Sequence, residues 1–508
     1  MFRHVLSVGG LTLASRMLGF VRDVLTAALI GAGPVADAFF VALRLPNHFR
    51  ALFAEGAFNA AFVPLFSETL IKQGRETARA FAEQVKAVLL SVQVVLLLVF
   101  LVIMPGFMLV FAPGFANDPF KFDLAVLFTR ITFPYLLFIS LETLLGAMLN
   151  SLGRFSAAAA APILLNLFLI SALLWATPYL PTAGHALAWG VFAAGIAQYL
   201  YLVIDSRRAG MALRFRWPRL TEPVRRFLHL LGPAALGAGL VQINLFVDTI
   251  IASFLPTGAV SYLYYADRLN QLPLGVIGVA VGTVLLPRLS QDLKRGDAAA
   301  AANGQNRALE FSLLLTLPAA AAFATIAEPL ISALFQRGAF SAADASASAQ
   351  ALMAYAFGLP AFVAIRSLIP GFHARQDTAT PVKIALVSIS VNIGLKLLLI
   401  SPLSFVGLAL ATSASAWVNA GLLAWTLHRR NFLQADPRLK RNLPRITLAT
   451  LAMVGVLLAG RWFGAPWLTA PSPIMRDGAL AVLIMLGLGS YFGLAYFTKL
   501  LNGFGKEP

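Results

Sequence analysis

Apolar runs about 20 residues long recur from one end of the 508-residue chain to the other, and each can cross a hydrocarbon core of ~30 Å as a helix. The pattern predicts fourteen spans, at 7–31, 35–70, 87–111, 122–150, 157–178, 184–204, 227–254, 258–290, 308–335, 342–373, 382–401, 404–427, 445–464 and 477–498. No long polar segment is left over for a soluble domain. The second span is too long for one crossing and is punctuated by Pro46, Gly56 and Pro64. The eighth has the same character, with Pro273, Gly275, Gly278, Gly282 and Pro287. Proline removes an N–H and clashes with the preceding turn. A broken helix at membrane depth is tolerated where it is buried in protein or lines a cavity.

The likeness of those two spans extends to an internal repeat. Val63-Pro64-Leu65-Phe66-Ser67-Glu68 resembles Leu286-Pro287-Arg288-Leu289-Ser290-Gln291 at an offset of 223. Phe111-Ala112-Pro113-Gly114-Phe115 resembles Phe335-Gln336-Arg337-Gly338-Ala339 at an offset of 224. Arg44 and Asn47 fall near Arg268 and Asn270. Two six-helix halves follow, and because six is even they share one orientation, with the substrate site expected between them. The expected organisation is an N-terminal lobe at 1–220, a C-terminal lobe at 221–435 and a C-terminal helix pair at 436–508. The fold class is therefore an all-α polytopic membrane protein.

Composition supports this: 59% of residues are hydrophobic, 12% are charged and the mean hydropathy is +0.79, against about 25% charged in soluble domains. The net charge of +17 reflects loops rather than nucleic-acid binding. Of the 39 Lys and Arg, 27 fall at the termini or after even-numbered spans, 4 on the opposite side and 8 inside spans. By the positive-inside bias both termini are expected in the cytoplasm. Arg3 before an apolar run imitates a signal peptide, but Arg16 interrupts the run and no small-x-small site follows, so a retained first helix is expected. Zero cysteines exclude disulfides, thiolate metal sites and cysteine nucleophiles.

The eight charges inside spans carry the chemistry. Arg16, Arg22, Arg44 and Arg50, with Asp23, Asp37 and Glu55, lie within the first two spans. One charge at the bilayer centre costs about 3 kcal/mol, so four facing lipid would cost about 10 kcal/mol. A wet cationic cavity is the better place for them, and it suits an anionic substrate. Arginine's planar fork makes two parallel bonds to phosphate. Arg16 and Asp23 share a helix face, and Arg22 joins them only if Gly19 bends the helix. Asp37 and Arg44 are one heptad apart, and a mutual ion pair is the plainer reading. Arg50 and Glu55 on the broken helix suit a gate. Asp267 and Arg268, halfway along the eighth span, are the second half's contribution. Asp248, Asn392, Lys396 and Thr412 form a second group, read equally as an ion site or a salt bridge. Arg366 and Arg130 with Glu142 read as structural or cavity-lining. There is no G-x-x-x-x-G-K-[ST], no G-x-S-x-G and no metal-ligand spacing among six histidines.

Three stretches carry a resemblance: ASRMLGFVRDVLTAALIGAGPVADAFFVALRLPNHFRALFAEGAFNAAFVPLFSE, VSYLYYADRLNQLPLGVIGVAVGTVLLPRLS and PGFHARQDTATPVKIA. They closely resemble the MurJ (MviN) family of the multidrug/oligosaccharidyl-lipid/polysaccharide exporter superfamily, over essentially the whole chain. The resemblance implies a lipid II flippase of peptidoglycan synthesis in the bacterial cytoplasmic (inner) membrane, with fourteen helices and a tail groove on the last two. It implies substrate-binding roles for Arg16, Arg22, Arg50, Arg268 and Asp37, with Asp23, Arg44, Asn47, Glu55 and Asp267 as secondary cavity or gate residues. It also implies a sodium site at Asp248, Asn392 and Thr412, where Lys396 stands in place of an expected acid and puts the monovalent ion in doubt. No other cofactor is expected. The implied partners are lipid II, membrane lipids and cell-wall synthesis proteins, with no nucleic acid and a monomeric state. The rivals are a flippase for another polyprenyl-linked oligosaccharide, a drug or cation exporter of the same superfamily, and an integral-membrane glycosyl- or phosphotransferase. An exporter of cations would want carboxylates in the cavity, and an enzyme a carboxylate or histidine cluster at one membrane face.

Overall fold

The computed structural model describes residues 2–53, 56–470 and 472–500, so Glu55 lies outside the described residues. Among these the regular structure is helical throughout. The chain divides into two compact units, Met1–Ser261 with Arg337–Phe340, and Tyr262–Gln336 with Ser341–Pro508.

The first unit contains α1 (Phe2–Ile30), α2 (Pro34–Phe53), α3 (Gly56–Gln73), α4 (Arg75–Phe111), α5 (Pro119–Thr132), α6 (Tyr135–Ser151), α7 (Ser156–Ser171), α8 (Ala183–Arg208) and α9 (Glu222–Ser253). It also holds the first residues of α10 (Ala259–Pro273). The described parts of the long second span are the helices α2 and α3, and Pro46 and Pro64 lie inside them without ending either. α1 runs unbroken past Gly19. The core of this unit stacks Phe58, Phe62, Phe66 and Phe81 of α3 and α4 with Phe227 of α9.

Two tight turns tie this unit together away from the N-terminus of α1. The Gly114 N–H donates to Ser253 Oγ at 3.0 Å, and Gly114 sits against the Ser253 carbonyl, where a Cβ would not fit. The Ala339 N–H donates to the Ala28 carbonyl at 2.8 Å, beside Gly338 at φ +56. Both glycines belong to the repeated Phe-x-x-Gly turn, and in each case close backbone approach demands the missing side chain.

In the second unit, α10 gives way at Pro273 to a widened π-type turn, Leu274–Gly278, before α11 (Val279–Lys294). Where the Pro/Gly cluster predicts a break, the helix widens and carries on. α12 (Ala298–Phe335), α13 (Ala342–His373), α14 (Ala379–Arg429), α15 (Pro437–Phe463), α16 (Ala465–Leu468) and α17 (Pro473–Phe497) follow. α14 covers two predicted spans. It reverses at Ser404 (φ 51, ψ −132), where Gly407 lies against the Leu399 carbonyl. Helix starts follow local chemistry. Asp297 and Asp436 accept from the third following N–H, and Ser341 with Asp344 forms a reciprocal capping box at α13. α12 packs on α13 and on the α15–α17 pair.

Nine helical stretches among the described residues are long and apolar enough to cross a membrane. On α4 the row Val95, Leu98 and Val102 is 62%, 59% and 78% exposed. Such a stripe is stable only against lipid, and the protein is an integral membrane protein.

Candidate functional site

Of the charges predicted on α1, Arg22 and Asp23 are a contiguous pair. Arg22 Nη2 lies 2.7 Å and Nε 3.1 Å from Asp23 Oδ1. The third arm of the fork, Nη1, donates to Asn166 Oδ1 on α7 at 3.0 Å. Asn166 returns its amide to the Ser15 carbonyl at 2.9 Å. Gly19 does not bend α1. It leaves the space that the Asn166 side chain occupies, 3.6 Å from where a Cβ would stand. Arg22 is therefore held between a carboxylate and an amide, with its charge offset. Arg16, one of the exposed residues of α1, has no ion-pair partner among the described residues.

Asp37 does not pair with Arg44. Its carboxylate takes the Gly258 N–H (2.7 Å), the Ser261 N–H (3.0 Å) and the Ser261 hydroxyl (2.6 Å), all at the start of α10. A helix N-terminus presents unsatisfied donors and a positive dipole end, so it satisfies a buried carboxylate as a cation would. Arg44 donates instead to Thr249 Oγ1 on α9 at 3.3 Å. His48, one turn on, bonds Gln242 of α9 at 2.9 Å, a contact the sequence did not announce.

Asn47 and Arg50 line a polar cavity of about 350 Å³ enclosed by α2, α3, α6, α7 and α8. Glu142 lines the same cavity, whereas Arg130 turns away to the Leu101 carbonyl at 3.2 Å. In the second unit Arg268 lies over the Tyr264 ring at 4.5 Å, and Asp267 accepts from Gln271 at 3.4 Å. Arg366 packs its stem against Gly278 in the widened turn. Asn392 and Lys396 are both buried, one turn apart on the first arm of α14. Thr412 on the second arm donates to the Leu408 carbonyl at 2.9 Å. Asp248 lies on α9 in the first unit. No group of three His, Asp or Glu that could hold a metal occurs among the described residues.

Sequence reasoning missed two buried glutamates. Glu83 on α4 receives Arg79 (3.2 Å), Arg216 and the Arg214 N–H (2.9 Å), fixing the basic segment that follows α8. Glu310 on α12 receives Arg307, Arg438 (3.3 Å) and Asn442 (2.6 Å), fixing the segment that leads into α15. Each anchors the connection leaving its own half. The signal was present as an acid just before the third span and in the first turn of the ninth, but its partners lie far along the chain.

An apolar groove of about 240 Å³ runs between α12, α15 and α17, lined by Leu315, Ile326, Met453, Leu457, Gly487 and Phe492 among others.

The family model described as "Lipid II flippase MurJ" matches residues 26–474. The "Probable lipid II flippase MurJ" of Rhizobium meliloti (strain 1021) is 47% identical over 495 residues, covering 96% of this chain and 92% of the relative. The chain belongs to the MurJ family. A second MurJ relative, "Lipid II flippase MurJ" of Burkholderia cenocepacia, is 36% identical over 98% of this chain and 97% of its own length. The solved MurJ structure titled "Lipid II flippase MurJ, inward closed conformation" matches with a TM-score of 0.80 at 25% identity, covering 97% of this chain and 99% of that one. An inward-facing multidrug resistance MATE transporter of the wider superfamily matches at a TM-score of 0.68 with 13% identity, which is likeness of fold alone.

Proposed function

We propose that this protein flips lipid II, the polyprenyl-pyrophosphate-linked peptidoglycan precursor, from the inner to the outer leaflet of the cytoplasmic membrane. It is a transporter and not an enzyme. The observation that carries the reading is MurJ-family identity of up to 47% over almost the whole chain. The arginines agree with it, since a diphosphate calls for planar, permanently charged forks. The MATE likeness does not bring drug export with it, because at 13% identity it carries the fold alone.

The finer picture rests on the sequence pattern. Fourteen segments cross the membrane as two six-helix halves (1–220 and 221–435) and a C-terminal pair (436–508), with both termini cytoplasmic. The loop asymmetry of Lys and Arg supports this topology. Arg16, Arg22, Arg50 and Arg268 receive the headgroup, and the apolar groove beside α15 and α17 receives the polyprenyl tail. Transport proceeds by alternating access, and the Pro/Gly breaks of the second and eighth spans give it its hinges. Lys396 stands where an ion ligand is expected, and on this reading its ammonium takes the place of sodium. Replacing sodium by potassium leaves the flipping rate unchanged on this reading.

The test is lipid II accessibility in cells depleted of the protein, using an externally added colicin-type enzyme that cleaves only outer-leaflet lipid II. Protection should appear on depletion, with wild type restoring cleavage and Arg16→Ala failing to do so at normal protein level. Full accessibility after depletion overturns the reading.

A further inference from the structure

We infer that the polar cavity of the first unit, lined by Arg50 but not by Arg16, Arg22 or Arg268, is a subsite for the neutral amino-sugar part of the headgroup. The inference rests on the flippase reading and adds a specificity element to it.

The cavity holds about 350 Å³ and is lined by Asn47, Asn59, Tyr135, Thr143, Asn150 and Gln198, with a single arginine, Arg50, and a single carboxylate, Glu142. One charge of each sign does not suit a diphosphate. The polar lining is instead mainly neutral amides and hydroxyls, which both donate and accept. Gln198 gives its Nε2–H to the Ala161 carbonyl at 3.1 Å, Asn47 gives its amide to Leu43 at 3.0 Å, and Thr143 gives its hydroxyl to Ile139 at 2.9 Å. What these three leave for a ligand is their oxygen lone pairs and, on each amide, a second N–H. Gln198 sharpens the point. It is 2% exposed, and its Oε1 is buried without a hydrogen-bond partner. A buried unsatisfied carbonyl costs about 1–3 kcal/mol, so a native structure seldom keeps one without a use.

The complementary ligand both donates and accepts and carries no net charge. Phosphate at neutral pH offers acceptors only, and an acidic peptide offers carboxylates. An N-acetylated hexosamine offers hydroxyls that do both, with an amide N–H and carbonyl beside them. The cavity is flanked by the last turns of α6, which run into the loop bearing Arg154. On the proposed topology that is the cytoplasmic side, where the headgroup is loaded.

The experiment compares wild type, Gln198→Leu and Thr143→Val in lipid nanodiscs. The probes are lipid II, the same lipid with its disaccharide but no peptide, and undecaprenyl pyrophosphate with no sugar. Thermal melts confirm that each variant is folded, and Thr143→Val keeps shape and volume should Gln198→Leu fail to fold. Wild type should bind both sugar-bearing lipids more tightly than undecaprenyl pyrophosphate. Each variant should lose about 3–10-fold in affinity for the two sugar-bearing lipids, the range of one neutral hydrogen bond, with undecaprenyl pyrophosphate unchanged. Equal losses on all three probes, or no loss on any, overturns the subsite. A loss on lipid II that vanishes when the peptide is removed assigns the cavity to the peptide and overturns the amino-sugar assignment. Failure of wild type to bind any of the three overturns the flippase reading itself.

Discussion

Asp37 accepts both the backbone N–H and the hydroxyl of Ser261, the residue 224 positions downstream, which the internal repeat makes its own counterpart. The start of the second span thus holds the start of the eighth. The carboxylate is 1% exposed and also takes the Gly258 N–H. Asp37→Ala strands two backbone donors at a helix start and removes the charge that faces them. A loss of about 3 kcal/mol is expected, the upper end for a hydrogen bond to a charged group. Asp37→Asn should fall between, because its oxygen satisfies one donor while its NH₂ opposes the other. Thermal melts of the detergent-solubilised protein read both. A melting point for Asp37→Ala equal to wild type would mean that the contact is open in solution.

Arg22 is pinned by Asp23 and Asn166 and Arg16 is not, which separates two arginines that the sequence presents as equals. Arg22→Lys retains the charge but cannot reach a carboxylate and an amide at once. It should lower thermal stability by about 1 kcal/mol and impair complementation. Asn166→Ala should reproduce the stability loss without touching any charge. Arg16→Ala should leave the melt unchanged and abolish complementation. Equal melts for Asn166→Ala and wild type would remove the basis for this division.

The spans were legible because a membrane imposes a length and an apolar period on every helix. A disturbance after Pro273 was legible too, since Pro, Gly275 and Gly278 fall within six positions, but it widens the helix rather than breaking it. Pro46 and Pro64 misled, because a proline costs one backbone bond whether the helix ends there or carries on through it. Asn166 was a lone amide in an Ala/Leu-rich helix, and its meaning depends on Arg22, 144 residues away. The partners of Asp37 were hidden for a related reason. Helix periodicity ranks partners on the same helix, while the strongest donors available to Asp37 were the free N–H groups of another helix's first turn.

Glu310 is fully buried and clamps α12 to the entry of α15 through Arg307, Arg438 and Asn442. Removing one partner of a buried ion network costs about 3–5 kcal/mol. Glu310→Gln keeps the shape and deletes the charge, so its effect isolates the electrostatic part. The expected outcome is a lowered melt with faster amide exchange concentrated in 436–468. Glu83→Gln should instead loosen 211–219, the segment that Glu83 holds through Arg216 and the Arg214 N–H. Exchange mass spectrometry distinguishes the two, and a uniform increase along the chain in either variant would show that the clamp is not local.

The third signature stretch folds into the turn between α13 and α14, and there Asp377 is the organising group. Its Oδ1 accepts the Thr380 N–H at 2.9 Å and its Oδ2 pairs with Arg430 at 2.6 Å. Bonds from the Thr380 side chain and backbone, then from Arg430, hold the carboxyl well below the usual aspartate range. A carboxyl depressed in the folded state contributes stability that is fully present above its unfolded value of about 3.9. That contribution fades as pH falls through the folded value. The turn should therefore be insensitive to pH between 8 and 5 and weaken only in stronger acid. Asp377→Ala should cost about 1 kcal/mol at neutral pH, as loss of a helix-capping side chain does. Below about pH 3 the gap between wild type and Asp377→Ala should narrow, because the wild-type carboxyl is then losing its charge as well. Melts across that range check the sign. A gap that widens on acidification would mean that the neutral acid, not the carboxylate, holds the turn.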